Sequence, residues 1–426
     1  MKERFIALTG GTLIDGTGAE PLKQSCLLIQ NGLVRAAGTL ESISIPEDAQ
    51  TLDCRGKTIM PGLIDAHVHL LGVTSLDTLS WVVDDPCLRT ARATMDAWRL
   101  LDSGFTTVRD PGTYISLFIR NAVNEGTVPG PRILSAGKVI SQTGGHGDPA
   151  HHLPDGWVAD RNICRIADGE ADCRRAVREQ ARAGADLIKI MTTGGVMSDA
   201  DSPEHTQYSI AEIRAMTDEA HSMGLKVASH AQGRQGIINA LQGGVDTIEH
   251  GTGLDSQAID LMLKTRAFLI PTLSVFHALV HRGERIGIKP HHREKARGLL
   301  KVHKSAFIQA WKAGVKIGLG TDFLLTPQVI NPVMGNHAEE LALYVSAGLS
   351  PMDAIVCATR NNAEALGVDD RTGTLVPGKQ ADLLVLDKDP LVDISRLQSP
   401  ENIAQIFKGG RPVPRIQKEP GTDLPL

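Results

Sequence analysis

The stretch Ile59-Met60-Pro61-Gly62-Leu63-Ile64-Asp65-Ala66-His67-Val68-His69-Leu70 decides how the rest of the chain is read. It is a short apolar strand candidate ending in two histidines with one residue between them. Side chains two apart in a strand face the same side, so His67 and His69 can point together at one spot. Alone, an H-x-H pair fits incidental core or surface histidines as readily as metal ligands. What surrounds it carries the argument.

Working outward, apolar strand candidates alternate with amphipathic stretches. TTVRD (106–110), RILSAG (132–137), LIKIM (187–191), KVASH (226–230), TIEH (247–250), FLIPTL (268–273) and KIGLGTD (316–322) follow the first strand. Helix candidates such as RTARATMDAWRLLDSG (89–104), IAEIRAMTDEAHSMG (210–224) and a basic stretch around 291–314 separate them. Eight such βα repeats predict an α/β fold, a (β/α)8 TIM barrel over residues 59–370, with an open doubly wound sheet as the alternative. Residues 1–58 and 371–426 differ in texture. Both are β-rich, with hairpin signals such as Gln30-Asn31-Gly32. The economical account is one small β-sandwich domain built from both chain ends.

Composition narrows the function. The 426 residues are 42% hydrophobic and 22% charged, which excludes wholesale disorder. A net charge of −5 and only 4% aromatic residues point to no nucleic acid and no membrane as partner. None of the six cysteines forms a C-x-x-C pair, so a thiolate zinc cluster is not expected. The first residues hold no signal-like apolar run, and no run approaches the roughly 18 residues of a membrane span. The expected location is cytoplasmic.

Three further ligand-type residues end strand candidates: His230, His250 and Asp322. A barrel would bring them onto one face with His67 and His69, where they could bind one or two divalent cations. Lys189, inside the apolar run LIKIM, reads either as a snorkelling edge residue or as a lysine aimed into the same site. In the second case its ammonium would repel metals unless its charge were altered, for instance as a carbamate formed with carbon dioxide.

The set HVH, IKI, ASH, IEHG and GTD, in this order between β-rich flanks, resembles the amidohydrolase superfamily. More narrowly it is similar to the branch holding prolidase-like enzymes, acyl-amino-acid amidases, ochratoxin-type amidases and imidazolonepropionase relatives. GGTLIDGTG near the start and GTLVPGKQADLLVLD near the end fit the same pattern. The resemblance implies that His67 and His69 bind one metal with Asp322. His230 and His250 would bind a second, and Lys189, N6-carboxylated, would bridge both. Zinc is the metal implied, and the ligand set also admits manganese, iron or cobalt. A hydroxide bridging the metals would attack an amide carbonyl, with Asp322 as general base and then acid. A homo-oligomer is implied as well.

Two segments are candidates for reading the substrate. The Gly- and His-rich loop 141–157 places His146 between Gly145 and Gly147, and the resemblance implies that it holds a substrate carboxylate or carbonyl. His151 and His152, in the same loop, read as a surface connection. After Lys189, Gly194 and Gly195 are expected near the metals. The resemblance implies that Tyr208 contacts a substrate carboxylate or oxyanion, the alternative being a tyrosine that caps the next helix. Arg234 is a further anion contact or a solvated first-turn residue. No chemistry is assigned to Arg109-Asp110-Pro111-Gly112, and His291, His292 and His303 are expected to be exposed.

The predicted function is therefore metal-dependent hydrolysis of a small-molecule amide that bears a carboxylate: an N-acyl amino acid, an ochratoxin-like amide, or an X-Pro or other dipeptide. The alternative is a hydrolase of a cyclic amide (imidazolone or hydantoin type), or a deaminase. A non-catalytic scaffold would have lost ligands, and all six ligand positions are occupied.

Overall fold

Period-two patterns make strands at both ends of the chain. In the computed structural model, which describes residues 4–148, 164–199, 201–325 and 336–416, residues 4–57 hold strands and no helix. Phe5–Thr9, Ser25–Gln30, Leu33–Thr39 and Gln50–Asp53 form one sheet. Its first hairpin turns at Asn31-Gly32, both with positive φ (51° and 90°), as the primed two-residue turns require. A second sheet joins the two chain ends. Thr58–Pro61 pairs antiparallel with Leu383–Leu386, which pairs in turn with Ile403–Lys408. Ile6, Leu8, Leu27, Ile29, Ile59, Leu383, Val385 and Phe407 interlock in one buried core that neither end could close alone. Burying such side chains stabilises by roughly 1.5–3 kcal/mol each.

The apolar runs of the middle of the chain pair in parallel, as strands with buried faces do. Six form one sheet in the order Cys164–Ile166, Val139–Ser141, Leu187–Met191, Lys226–Ala231, Thr247–His250, Phe268–Ile270. Helices Glu170–Arg182, Ile210–Ser222, Arg234–Gly243 and Ser256–Thr265 connect them. The helix Ile210–Ser222 starts at a capping box, with Ser209 and Glu212 satisfying each other's backbone N–H. Val68–Val73 pairs in parallel with Phe323–Leu325. Two of these strands, Val139–Ser141 and Cys164–Ile166, are not among the strand candidates of the sequence. They are three residues each, too short for periodicity to register. His151 and His152 lie outside the described residues.

By contact density the described residues divide into two compact units. One takes residues 4–65, 98–107 and 337–416, and the other residues 66–97, 108–325 and 336. The first therefore includes the helices Glu339–Ser346, Pro351–Val356 and Asn362–Leu366, in addition to the terminal sheets. The second holds the whole candidate site. Among the described residues no helix is long and apolar enough to cross a membrane.

Candidate metal centre

His230 and His250 lie at the carboxyl ends of their strands, whereas His67 and His69 flank the start of Val68–Val73 and Asp322 just precedes Phe323–Leu325 rather than ending a strand over 316–322. His67 and His250 have ring centroids 5.2 Å apart, His230 and His250 4.6 Å, and His67 and His69 5.3 Å. Asp322 Oδ1 lies 3.4 Å from His67 Nε2 and 3.3 Å from His69 Nε2. Ligand atoms of His67, His250 and Asp322 all fall within 4.8 Å of one another, as a shared cation requires. Lys189 is buried and lines the same cavity, whose volume is about 340 Å³.

Three of the imidazoles have one nitrogen tied back into the protein, which fixes the ring and frees the other nitrogen. His67 Nδ1 lies 2.6 Å from Glu249 Oε2, His250 Nδ1 lies 2.7 Å from Thr272 Oγ1, and His230 Nε2 lies 3.1 Å from the Gly194 carbonyl. Glu249 is the residue the sequence reading passed over. It is fully buried, and both its oxygens accept from Arg109 Nη2 at 2.7 Å. Arg109 also donates to the carbonyl of Ala66. The unassigned Arg109 is thus the anchor of the carboxylate that orients His67. A charge inside each of the apolar runs TTVRD and TIEH was the available signal, since a buried charge needs a partner. His69 Nδ1 lies 3.9 Å from Asp110 Oδ1, and Asp110 is itself held by the backbone amides of Leu70 and Gly112.

Burial and neighbouring charges set the protonation. Burial alone would raise the Asp322 carboxyl, but His67, His69 and His250 beside it hold it well below the usual carboxylate range. Burial and adjacent cationic groups keep His230 and His250 neutral, the form that binds metals. Burial brings the Lys189 ammonium down to about 8, against the pull of Glu249 and Asp322. A neutral amine is the form that adds carbon dioxide. Strain gathers here too: His250, Thr272 and Asp322 have φ of 70°, 52° and 56°, in the left-handed region where a non-glycine residue costs about 1–3 kcal/mol.

The structure places the substrate-reading candidates unequally. His146 lines the cavity, stacks on His230 at 4.5 Å, and has its Nδ1 3.4 Å from Asp201 Oδ2. Gly195 backs it closely, and a Cβ there would fall 2.2 Å from the His146 ring. Gly194 contributes through its carbonyl to His230. Tyr208 and Arg234 are not brought into the cavity. The Tyr208 hydroxyl is buried and donates to the Ala167 carbonyl at 3.0 Å, and Arg234 lies at the surface against Asp255 and Gln257. Two histidines expected at the surface are buried: His303, whose Nε2 donates to the His250 carbonyl at 3.0 Å, and His292. Both sit on the inner face of the helix Pro290–Lys312, which the basic composition of that stretch concealed.

Imidazoles and a carboxylate gathered beside parallel strands agree with the family to which this chain belongs, the amidohydrolase family, whose model matches residues 58–413. Among individual proteins, ochratoxinase of Aspergillus niger is 34% identical over 421 residues, covering 94% of this chain and 85% of its own. The ochratoxinase crystal structure superposes with a TM-score of 0.87 at 31% identity, covering 97% of this chain and 96% of the other. A prolidase complexed with N-methylphosphonate-L-proline reaches 0.89 at 34% identity, covering 97% and 100%. A Xaa-Pro dipeptidase with bound methionine in its active site reaches 0.87 at 31%, covering 96% and 99%.

Proposed function

We propose that this protein hydrolyses the amide bond of a small carboxylate-bearing substrate, such as an N-acyl amino acid, an ochratoxin-like amide or a dipeptide, using two divalent cations. The observation carrying this is the convergence of His67, His69, His250 and Asp322 in one cavity, each histidine oriented or flanked by a second group. The residues fit a metal. His67, His69 and Asp322 would hold one ion, His230 and His250 the other, and a Lys189 carbamate would bridge them. When bound, such ions lower the pKa of water and polarise a carbonyl oxygen.

The remaining steps belong to the chain. Asp322, ionised at neutral pH, accepts a proton on a carboxylate oxygen and returns it to the departing nitrogen. His146 meets the substrate's carboxylate or carbonyl. Leu71, Trp81, Val275, Phe276 and Leu324 line the cavity and exclude bulk water from it.

The same reading takes the fold as a closed (β/α)8 barrel with a composite β-sandwich from residues 1–58 and 371–426. Neighbouring backbone bonds support closure: Gly318 N to Leu269 O carries the order past Phe268–Ile270, Ala66 N to Leu319 O and Ala136 N to Asp110 O continue it, and Asp186 N to Ser135 O returns it to the start of Leu187–Met191. The sheet joining both chain ends supports the sandwich.

The test is hydrolysis by zinc-loaded enzyme of an N-acyl-phenylalanine, ochratoxin A, an X-Pro dipeptide, a hydantoin and an imidazolone, followed by mass spectrometry. Release of a free amino acid from the acyclic substrates alone is expected. Turnover confined to the cyclic ones would overturn the substrate class and leave the metal centre standing.

A further inference from the structure

A carboxylate-bearing substrate calls for a cation in the cavity that is not spent on the metals, and of the three readers suggested by sequence only His146 lines it, while Tyr208 and Arg234 do not. Among the described residues that do, no arginine appears, and the ammonium groups are those of Lys189 and Lys289. Lys289 caps the N-terminus of the 23-residue helix Pro290–Lys312. Its Nζ lies 2.5 Å from Asp199 Oδ2, and His291 and His292 converge on the other oxygen of that carboxylate, His292 at 2.8 Å. Lys295 Nζ donates to the Ser198 and Asp201 carbonyls at 2.8 and 2.9 Å, fixing the segment that carries Asp199.

Asp199 thus faces the Lys289 ammonium at the N-terminus of a long helix, whose first N–H groups and dipole also favour an anion nearby. An ammonium has three donors, so Lys289 can keep Asp199 and take another carboxylate. The other wall aspartates outside the metal centre are held elsewhere. Asp77 accepts from Leu79 N, and Asp148 from Gly144 N.

We propose that Lys289, held in place by Asp199, is a specificity-determining residue that binds the free carboxylate of the substrate. This rests on the proposed function and names the group that reads its substrate's charge.

The test compares an N-acyl amino acid with its C-terminal carboxamide in the wild-type protein, in Lys289→Met, which keeps the length without the charge, and in Lys289→Arg. Each zinc-loaded protein is read as the ratio of kcat/KM for acid over carboxamide. The wild type is expected to prefer the acid by about tenfold or more, the scale of a charge-assisted hydrogen bond. The preference collapses in Lys289→Met through KM, and Lys289→Arg restores part of it. A ratio unchanged in Lys289→Met would overturn the proposal while leaving amide hydrolysis intact. Equal loss of both substrates in Lys289→Met would also overturn it, as the mark of a structural role. Wild-type protein that cleaves neither substrate would instead remove the proposed function itself.

Discussion

At the scale of single residues, two carboxylates divide the work at the candidate centre. Asp322 is partly open to the cavity and ionised among histidines, so Asp322→Asn keeps the shape and removes the proton acceptor. Turnover is expected to fall about 10²–10⁴-fold with little change in Tm. Wild-type turnover in that variant would reject the role. Glu249 works behind the site. Burial alone would raise its carboxyl, but Arg109 and His67 hold it ionised. Glu249→Gln leaves the Arg109 guanidinium buried and unpaired, at a cost of about 3–5 kcal/mol. It also loosens His67, and metal affinity should drop roughly 10–100-fold by equilibrium dialysis. A loss of stability with metal affinity unchanged would reduce Glu249 to a structural ion pair.

At the scale of elements, the segment after the strand Leu187–Met191 links the centre to its wall. Gly194 offers its carbonyl to His230, Gly195 leaves room for the His146 ring, and Asp201 faces His146. Although burial pushes the Asp201 carboxyl up, His146 brings it down to about 2, so it is charged across the working range. Gly195→Ala puts a methyl group into the imidazole stack. The expected outcome is displacement of His146 and a rise in KM of about tenfold or more, with metal content retained. Unchanged KM would show that His146 does not touch substrate. The sequence reading expected Gly194 and Gly195 near the metals but could not say which side chains they meet. The contact joins residues 49 positions apart.

At the scale of the whole molecule, buried histidines make stability depend on pH. Burial lowers His303 from its ordinary 6.5 to about 4, despite its bond to the His250 carbonyl. The unfolded chain therefore takes up this proton at a higher pH than the folded one. Stability is full above about pH 6.5 and declines as pH falls toward 4. Burial, then His291, brings His292 to about 4, and it acts in the same direction. Tm should fall between pH 7 and pH 4.5, with a shallower slope in His303→Gln. An equal slope in the variant would place the effect elsewhere.

Much of this protein is written locally. The alternation of apolar runs with amphipathic stretches determined the parallel α/β order. The residues ending those runs named the histidines and Asp322, though only His230 and His250 end strands in the structure. Local pattern could not decide which nitrogen of each ring stays free, that Glu249 and Arg109 stand behind His67, or that Tyr208 turns away from the cavity toward Ala167. Nor could it show that a lysine at the start of a basic helix lines the same cavity. Those outcomes depend on contacts between residues tens to hundreds of positions apart. They form only where folding removes water and every buried polar atom must find a partner.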